Sequence, residues 1–262
     1  MYSRTELADH LRGLGVREGE TLLVQASARA VGPVEDRTGT ITAALRDTLG
    51  PAGTLVAYTA TPENSYTSPL HRQATAGLDP AGLRRHRATM PPYDPVATPA
   101  SPTMGRLAEE IRLLPGAVRS THPQTSFAAL GPRAEALTGG HRLTSHLGED
   151  SPVGRLYDAC ARVLLVSVPW SCCTVLHLAE YRQPDPPVQR YGAVVKDRRG
   201  FRQWVHFDAP SLAIAHLERM AADLARDLPG LVRGRLGDAE CVLMPIADAV
   251  DLATKWLLDQ VR

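Results

Sequence analysis

A histidine and a glutamate three residues apart close the run Val166-Ser167-Val168-Pro169-Trp170-Ser171-Cys172-Cys173-Thr174-Val175-Leu176-His177-Leu178-Ala179-Glu180-Tyr181. On a helix this spacing puts His177 and Glu180 on one face, where the carboxylate can orient the imidazole or hold its proton, as a general base requires. Thr174 lies three residues before His177 on the same face. An ordinary amphipathic helix with a surface His/Glu pair has the same spacing and is the commoner case. A second group joins Met104-Gly105 to Arg119-Ser120-Thr121-His122-Pro123-Gln124-Thr125-Ser126-Phe127. Proline disfavours helix in the residue before it, so His122 is held extended and rigid. A histidine that merely caps a loop fits as well. The third group, Gln25-Ala26-Ser27-Ala28-Arg29-Ala30-Val31-Gly32, offers small residues and backbone N–H groups that can hold a phosphate or a thin cofactor arm. It matches neither the dinucleotide nor the P-loop fingerprint.

Positioning these groups falls to elements legible in the hydrophobic pattern. Residues 5–15 read as an amphipathic helix with Leu7, Leu11 and Leu14 on one face, and 21–25 as a buried strand. A helix over 38–49, capped by Thr38 and closed by Gly50-Pro51, leads to a second strand at 53–59. Strand, helix, strand implies a parallel pair with a right-handed crossover. Periodicity then disappears from about 60 to 103, and a loop of that length reads as a lid or substrate wall. Beyond it come a helix at 104–114, strands at 126–131 and 162–168, and a helix at 173–181. Strands at 191–196 and 201–207 flank the turn Asp197-Arg198-Arg199-Gly200 as a hairpin. A helix at 211–226, a strand at 240–244 and a helix at 247–260 complete the chain. The fold class is α/β, with a mixed, largely parallel central sheet flanked by helices, an antiparallel hairpin elaboration and a single domain over 1–262.

Composition narrows the function. The 262 residues carry 29 basic and 28 acidic side chains, a net charge of +1, which argues against a polyanion partner. The basic runs Arg84-Arg85-His86-Arg87 and Arg198-Arg199 are too short for a nucleic-acid footprint. No apolar run approaches the roughly 18 residues of a membrane span, and the N-terminus lacks a signal-peptide core, so a cytoplasmic location is expected. Cys160, Cys172, Cys173 and Cys241 form no CxxC pair, and the histidines are dispersed, so reduced thiols and no metal site are expected.

Taken in order, these segments resemble the aminoglycoside N3-acetyltransferase family, which is not of the GCN5-type fold. Gln25 to Gly32, Gly53-Thr54-Leu55, Tyr93-Asp94-Pro95 and Met104-Gly105-Arg106-Leu107-Ala108-Glu109 each match a family segment. So do the run from Arg119 to Gly131, Gly148 with Ser151-Pro152 and Arg155-Leu156-Tyr157, and Cys173-Thr174 with His177-Leu178-Ala179-Glu180. The chain departs from the family in having glutamine for histidine at Gln25, alanine at Ala26, and serine where aspartate is frequent at Ser171.

The resemblance implies transfer of acetyl from acetyl-CoA, a cosubstrate, to an amine, the family's acceptor being the 3-amino group of a 2-deoxystreptamine antibiotic. It makes His177 the general base and Glu180 its orienting carboxylate, with Thr174 beside them. The pantetheine arm is expected along Gln25, Ser27, Arg29 and Gly32 and along His122 and Ser126. Tyr93, Asp94, Glu109, Ser171, Cys172 and Cys173 are the expected substrate contacts. Direct transfer needs no enzyme nucleophile, although Cys172 or Cys173 could carry the acyl group. A relative recruited to natural-product biosynthesis, acylating another amine or catalysing a different acyl-transfer or cyclisation step, is the alternative. A ligand-binding protein without turnover is a further one. The partners implied are a small-molecule amine and a CoA thioester, with no nucleic acid or membrane, for a monomer or homodimer.

Overall fold

Near-continuous aliphatic runs set the centre of the molecule, because strands covered on both faces need apolar residues at every position. The computed structural model describes residues 1–260. In chain order its strands are β1 (Thr21–Ala26), β2 (Thr54–Tyr58), β3 (Val118–Arg119), β4 (Phe127–Leu130), β5 (Arg162–Val166), β6 (Val188–Lys196), β7 (Arg202–Pro210), β8 (Val232–Leu236) and β9 (Ala239–Pro245). The helices are α1 (Arg4–Gly13), α2 (Thr38–Leu49), α3 (Pro69–Thr75), α4 (Pro80–Thr89), α5 (Arg106–Leu113), α6 (Ala134–Thr138), α7 (Pro152–Asp158), α8 (Leu178–Tyr181), α9 (Ala215–Asp227) and α10 (Ile246–Asp259). Seven strands form one mixed sheet in the order β3-β4-β2-β1-β5-β9-β8. Its three central strands are parallel, with Leu23 opposite Val56 on one side and Val163 on the other. Antiparallel pairs close both edges.

Alternation along the strands divides the core into two layers. Leu22, Val24, Leu164 and Val166 pack with Leu7 and Leu11 of α1, Leu45 of α2 and Ile111 of α5. Leu23, Val163 and Leu165 pack on the other face with Leu156 of α7, Leu217 and Met220 of α9, and Val250 of α10. The hairpin β6–β7 stands apart as a two-stranded sheet. Asn64 docks it: its Oδ1 accepts from Val194 N (2.8 Å) and its Nδ2 donates to Val194 O (2.9 Å). Among the described residues no helix is long and apolar enough to cross a membrane.

Three expectations are corrected. The 60–103 stretch is not a bare loop, since it folds into α3 and α4 with 3₁₀ turns at Pro62–Asn64 and Pro102–Met104. Both helices begin on proline, and Ser68 and Asp79 cap them by accepting from His71 N and Gly82 N. They are short and mostly exposed, so they leave no hydrophobic period to read. Thr38 does not cap α2. It is already helical, Arg37 precedes it at φ +49°, and its hydroxyl donates to Glu110 of α5 instead. The 173–181 helix is shorter than expected, a 3₁₀ turn over Thr174–His177 running into the four-residue α8.

Candidate active site

The carboxyl ends of β1, β2 and β5 open onto one cleft of about 590 Å3. This is where an open α/β sheet leaves backbone groups and loop side chains free to meet a ligand. Ser167 turns the chain off β5 at φ +45°, a region that non-glycine residues rarely adopt. Two contacts to β9 hold it there, since Ser167 N and Oγ both donate to Glu240 O, at 2.8 and 3.3 Å. The chain then forms the wall containing Ser171, Cys172, Thr174 and His177. Gln25 fastens that wall to β1: its Nε2 donates to Cys172 O at 2.6 Å and its Oε1 accepts from Thr174 N at 3.2 Å. Opposite stand Met104 and Gly105, and Gly105 has φ +83° with the Ala26 carbonyl 3.3 Å from where a Cβ would sit. A side chain at 105 would be strained and would press on the Ala26 carbonyl.

His177 is 6% exposed and its Nδ1–H donates to Glu180 Oε2 at 2.7 Å. An ionised carboxylate only accepts, so in the neutral ring the lone pair sits on Nε2, which no protein group takes among the described residues. Glu180, 8% exposed, holds its second oxygen toward Ala213 N, which donates at 2.9 Å. His216 Nε2 is 3.1 Å from the same oxygen, close enough for electrostatic contact but off the line of a hydrogen bond. Burial pushes the Glu180 carboxyl up, yet His177, His216 and the Ala213 amide outweigh it and bring the pKa down to about 2. The carboxylate is therefore charged at any working pH. Thr174 Oγ1 is buried with no hydrogen-bond partner while Thr174 lines the cleft.

The structure brings Thr174, His177, Gln25, Ser27, Ser171 and Cys172 into this cleft, with Glu180 directly behind His177. It places the others elsewhere. Arg29 and Gly32 line a neighbouring recess of about 420 Å3, whose Ala28 and Arg106 follow Ser27 and Gly105 of the cleft in the chain. Arg37 lines it too, and none of Arg29, Arg37 and Arg106 is ion-paired among the described residues. His122 is fully buried rather than at the cleft. Its Nδ1 accepts from Gln124 N and Thr125 N at 3.1 and 3.2 Å, its Nε2 lies 3.2 Å from Leu143 O, and His141 and His146 pack against its ring. Ser126 is also sealed in, donating to Thr59 O (2.9 Å) and accepting from Arg119 Nε (3.0 Å).

Tyr93, Asp94 and Glu109 brace the 92–102 segment instead of facing the cleft. Tyr93 Oη donates to Ser120 O (2.8 Å), Asp94 pairs with Lys196 (2.5 Å), and Glu109 pairs with Arg112 (2.6 Å) and accepts from Ala100 N (2.8 Å). Cys173 points into the core, where burial pushes its thiol up to about 12. Burial and the Glu218 carboxylate raise the Cys172 thiol as well. Sequence reasoning missed His216, Arg37, Tyr58 and the 212–214 wall. No local motif marks them, because helix packing and chain reversal deliver them.

A family model described as aminoglycoside 3-N-acetyltransferase matches residues 23–258. An aminoglycoside N(3)-acetyltransferase III from a Salmonella species is 33% identical, over 98% of this chain and 92% of that protein. Among solved structures, the YokD protein from Bacillus subtilis superimposes with a TM-score of 0.92 at 28% identity, over 99% of this chain and 94% of that one. A binary complex of AAC-IIIb with CoASH has a TM-score of 0.84 at 32% identity, over 99% and 97%. The shared architecture is the mixed sheet described above and not the GCN5-type fold.

Proposed function

Since the chain belongs to the aminoglycoside 3-N-acetyltransferase family, we propose that it transfers acetyl from acetyl-CoA directly to an amine of an aminoglycoside, with His177 as general base. The observation that carries this reading is the 2.7 Å contact from His177 Nδ1 to Glu180, which leaves Nε2 as the proton acceptor at the cleft. Bound acetyl-CoA supplies a thioester carbonyl open to nucleophilic attack. Ser27 and Gly105 offer a slot for a thin arm, and Arg29, Arg37 and Arg106 offer charge for phosphates beyond it.

In this reading His177 Nε2 takes a proton from the acceptor nitrogen as that nitrogen bonds to the carbonyl carbon. Glu180 stabilises the imidazolium that forms, and His216 and Ala213 keep Glu180 in place. The unpartnered Thr174 hydroxyl donates toward the carbonyl oxygen as negative charge develops there. As the C–S bond breaks, His177 returns the proton to the departing sulfur. The raised thiols of Cys172 and Cys173 disfavour an acyl-cysteine route, since the thiolate is the nucleophile.

One observation favours a second reading, in which another amine is the acceptor, as in natural-product biosynthesis: among the described residues no carboxylate lines the cleft. Following free thiol with a chromogenic disulfide over aminoglycosides and simple amines tests both. Acetyl-CoA-dependent release with an aminoglycoside is expected, and His177→Ala should lower kcat roughly 10²–10⁴-fold without changing CoA affinity. Cys172→Ala should retain most activity. Wild-type kcat in His177→Ala sinks the base assignment, and release with simple amines alone moves the second reading ahead.

A further inference from the structure

The 60–103 segment encloses a second cavity, separate from the cleft. Helices α3 and α4 and the 90–102 segment wall a pocket of about 450 Å3, whose apolar lining includes Leu70, Met90, Pro91, Pro99 and Ala100. The polar groups around it are nearly all committed. Tyr93 donates to Ser120 O (2.8 Å), Thr61 donates to Pro123 O (2.8 Å), and Glu63 accepts from Ser101 Oγ (2.5 Å). Asn64 is taken by Val194.

His86 and His71 are the exceptions: His86, partly exposed on α4, makes no side-chain hydrogen bond among the described residues, but His71 is the one that is buried. It lines the pocket, is only 3% exposed, and neither ring nitrogen has a hydrogen-bond partner. His86 of α4 packs against its ring edge-on at 5.5 Å. The Glu63 carbonyl lies near but outside hydrogen-bond geometry, and burial together with Arg87 and His86 prevails over it to push the His71 pKa down. The ring is therefore neutral, with one N–H to donate and one lone pair to accept. Native proteins rarely leave a buried polar side chain without a partner, and apolar pockets of this size with few polar groups typically take small molecules.

We propose that this pocket binds a small, uncharged ring compound bearing one hydroxyl, with its body against Leu70, Met90 and the prolines and its hydroxyl on His71. A hydroxyl both donates and accepts, which matches a neutral imidazole, whereas a charged group would lose its hydration against an apolar wall. Proline and aromatic surfaces suit a flat ring. The site is independent of the acyl-transfer reading, because its residues lie outside the cleft except for the shared wall at Pro102.

Calorimetric titration with p-cresol and with toluene, which differ by the hydroxyl alone, tests it. Wild type should bind p-cresol roughly tenfold more tightly than toluene, about the worth of one buried hydrogen bond. His71→Phe should erase that difference while toluene still binds, and Ala74→Trp, at the pocket rim, should weaken both. Thermal unfolding of each variant checks that it is folded. No saturable binding of either compound to folded wild type at millimolar concentration overturns the proposal, as does p-cresol binding that neither variant changes.

Discussion

Each oxygen of Glu180 is already spoken for, one by His177 and the other by the Ala213 amide with His216 alongside, which is what the proposed role of orienting the base requires. An amide in its place keeps the shape but donates from one end, so it cannot accept from both sides. Glu180→Gln should therefore lower kcat by about tenfold or more and leave the KM for acetyl-CoA nearly unchanged, because the imidazolium that forms during transfer loses the charge that stabilises it. A kcat equal to wild type would separate Glu180 from the base. At this scale the sequence exposed what is local. The His177–Glu180 pair is one turn of chain, whereas Ala213 and His216 reach Glu180 only through the packing of α9. His122 misled for a physical reason: the rigidity that Pro123 imposes serves a buried imidazole cluster, not a ligand. Tyr93, Asp94 and Glu109 likewise spend their polar atoms on bracing the 92–102 segment.

The connection after β1 and the first residue of α5 carry the three arginines of the recess beside the cleft. If those guanidiniums hold the phosphates of acetyl-CoA, Arg29→Ala and Arg106→Ala should each raise its KM roughly fivefold, an effect that added salt diminishes. The same variants should treat acetyl-pantetheine, which has no nucleotide phosphates, like wild type. An equal loss with both donors would mean the arginines act on the fold. The elements that were legible are those with a long apolar period or an unbroken aliphatic run, α1, α2, α5, α9, α10, β1, β2, β4, β5 and β9, together with the β6–β7 hairpin marked by its Asp197-Arg198-Arg199-Gly200 turn. The two-residue β3, the five-residue α6 and the seven-residue α7 are too short to show a period. The edge strand β8 is mostly exposed, and its Val232-Arg233-Gly234-Arg235 run carries none of the aliphatic density of the centre.

Across the whole molecule, the buried imidazoles set the response to acid. Burial, and for His146 also the neighbouring His141, lowers His141 to about 4 and His146 to about 3, and His122 is pushed well below its usual range. An unfolded histidine titrates near 6.5, so below about pH 6.5 the unfolded chain binds more protons and stability falls with pH. Tm should decline from pH 6.5 to 5, a window in which Glu180 stays ionised in the folded chain and, with an unfolded value near 4.5, adds little to the change. A flat Tm across that window would contradict the buried, neutral state of the cluster. The Gln25 clamp has a different consequence, in time rather than in space. It joins residues 147 positions apart, and the wall it fastens depends on β5 having inserted beside β1. Contacts this distant form late, after the long loops between them have closed. A chain still being synthesised, with its Gln25–Gly32 loop already made, is therefore catalytically silent until most of its length has emerged, and no half-made copy consumes thioester.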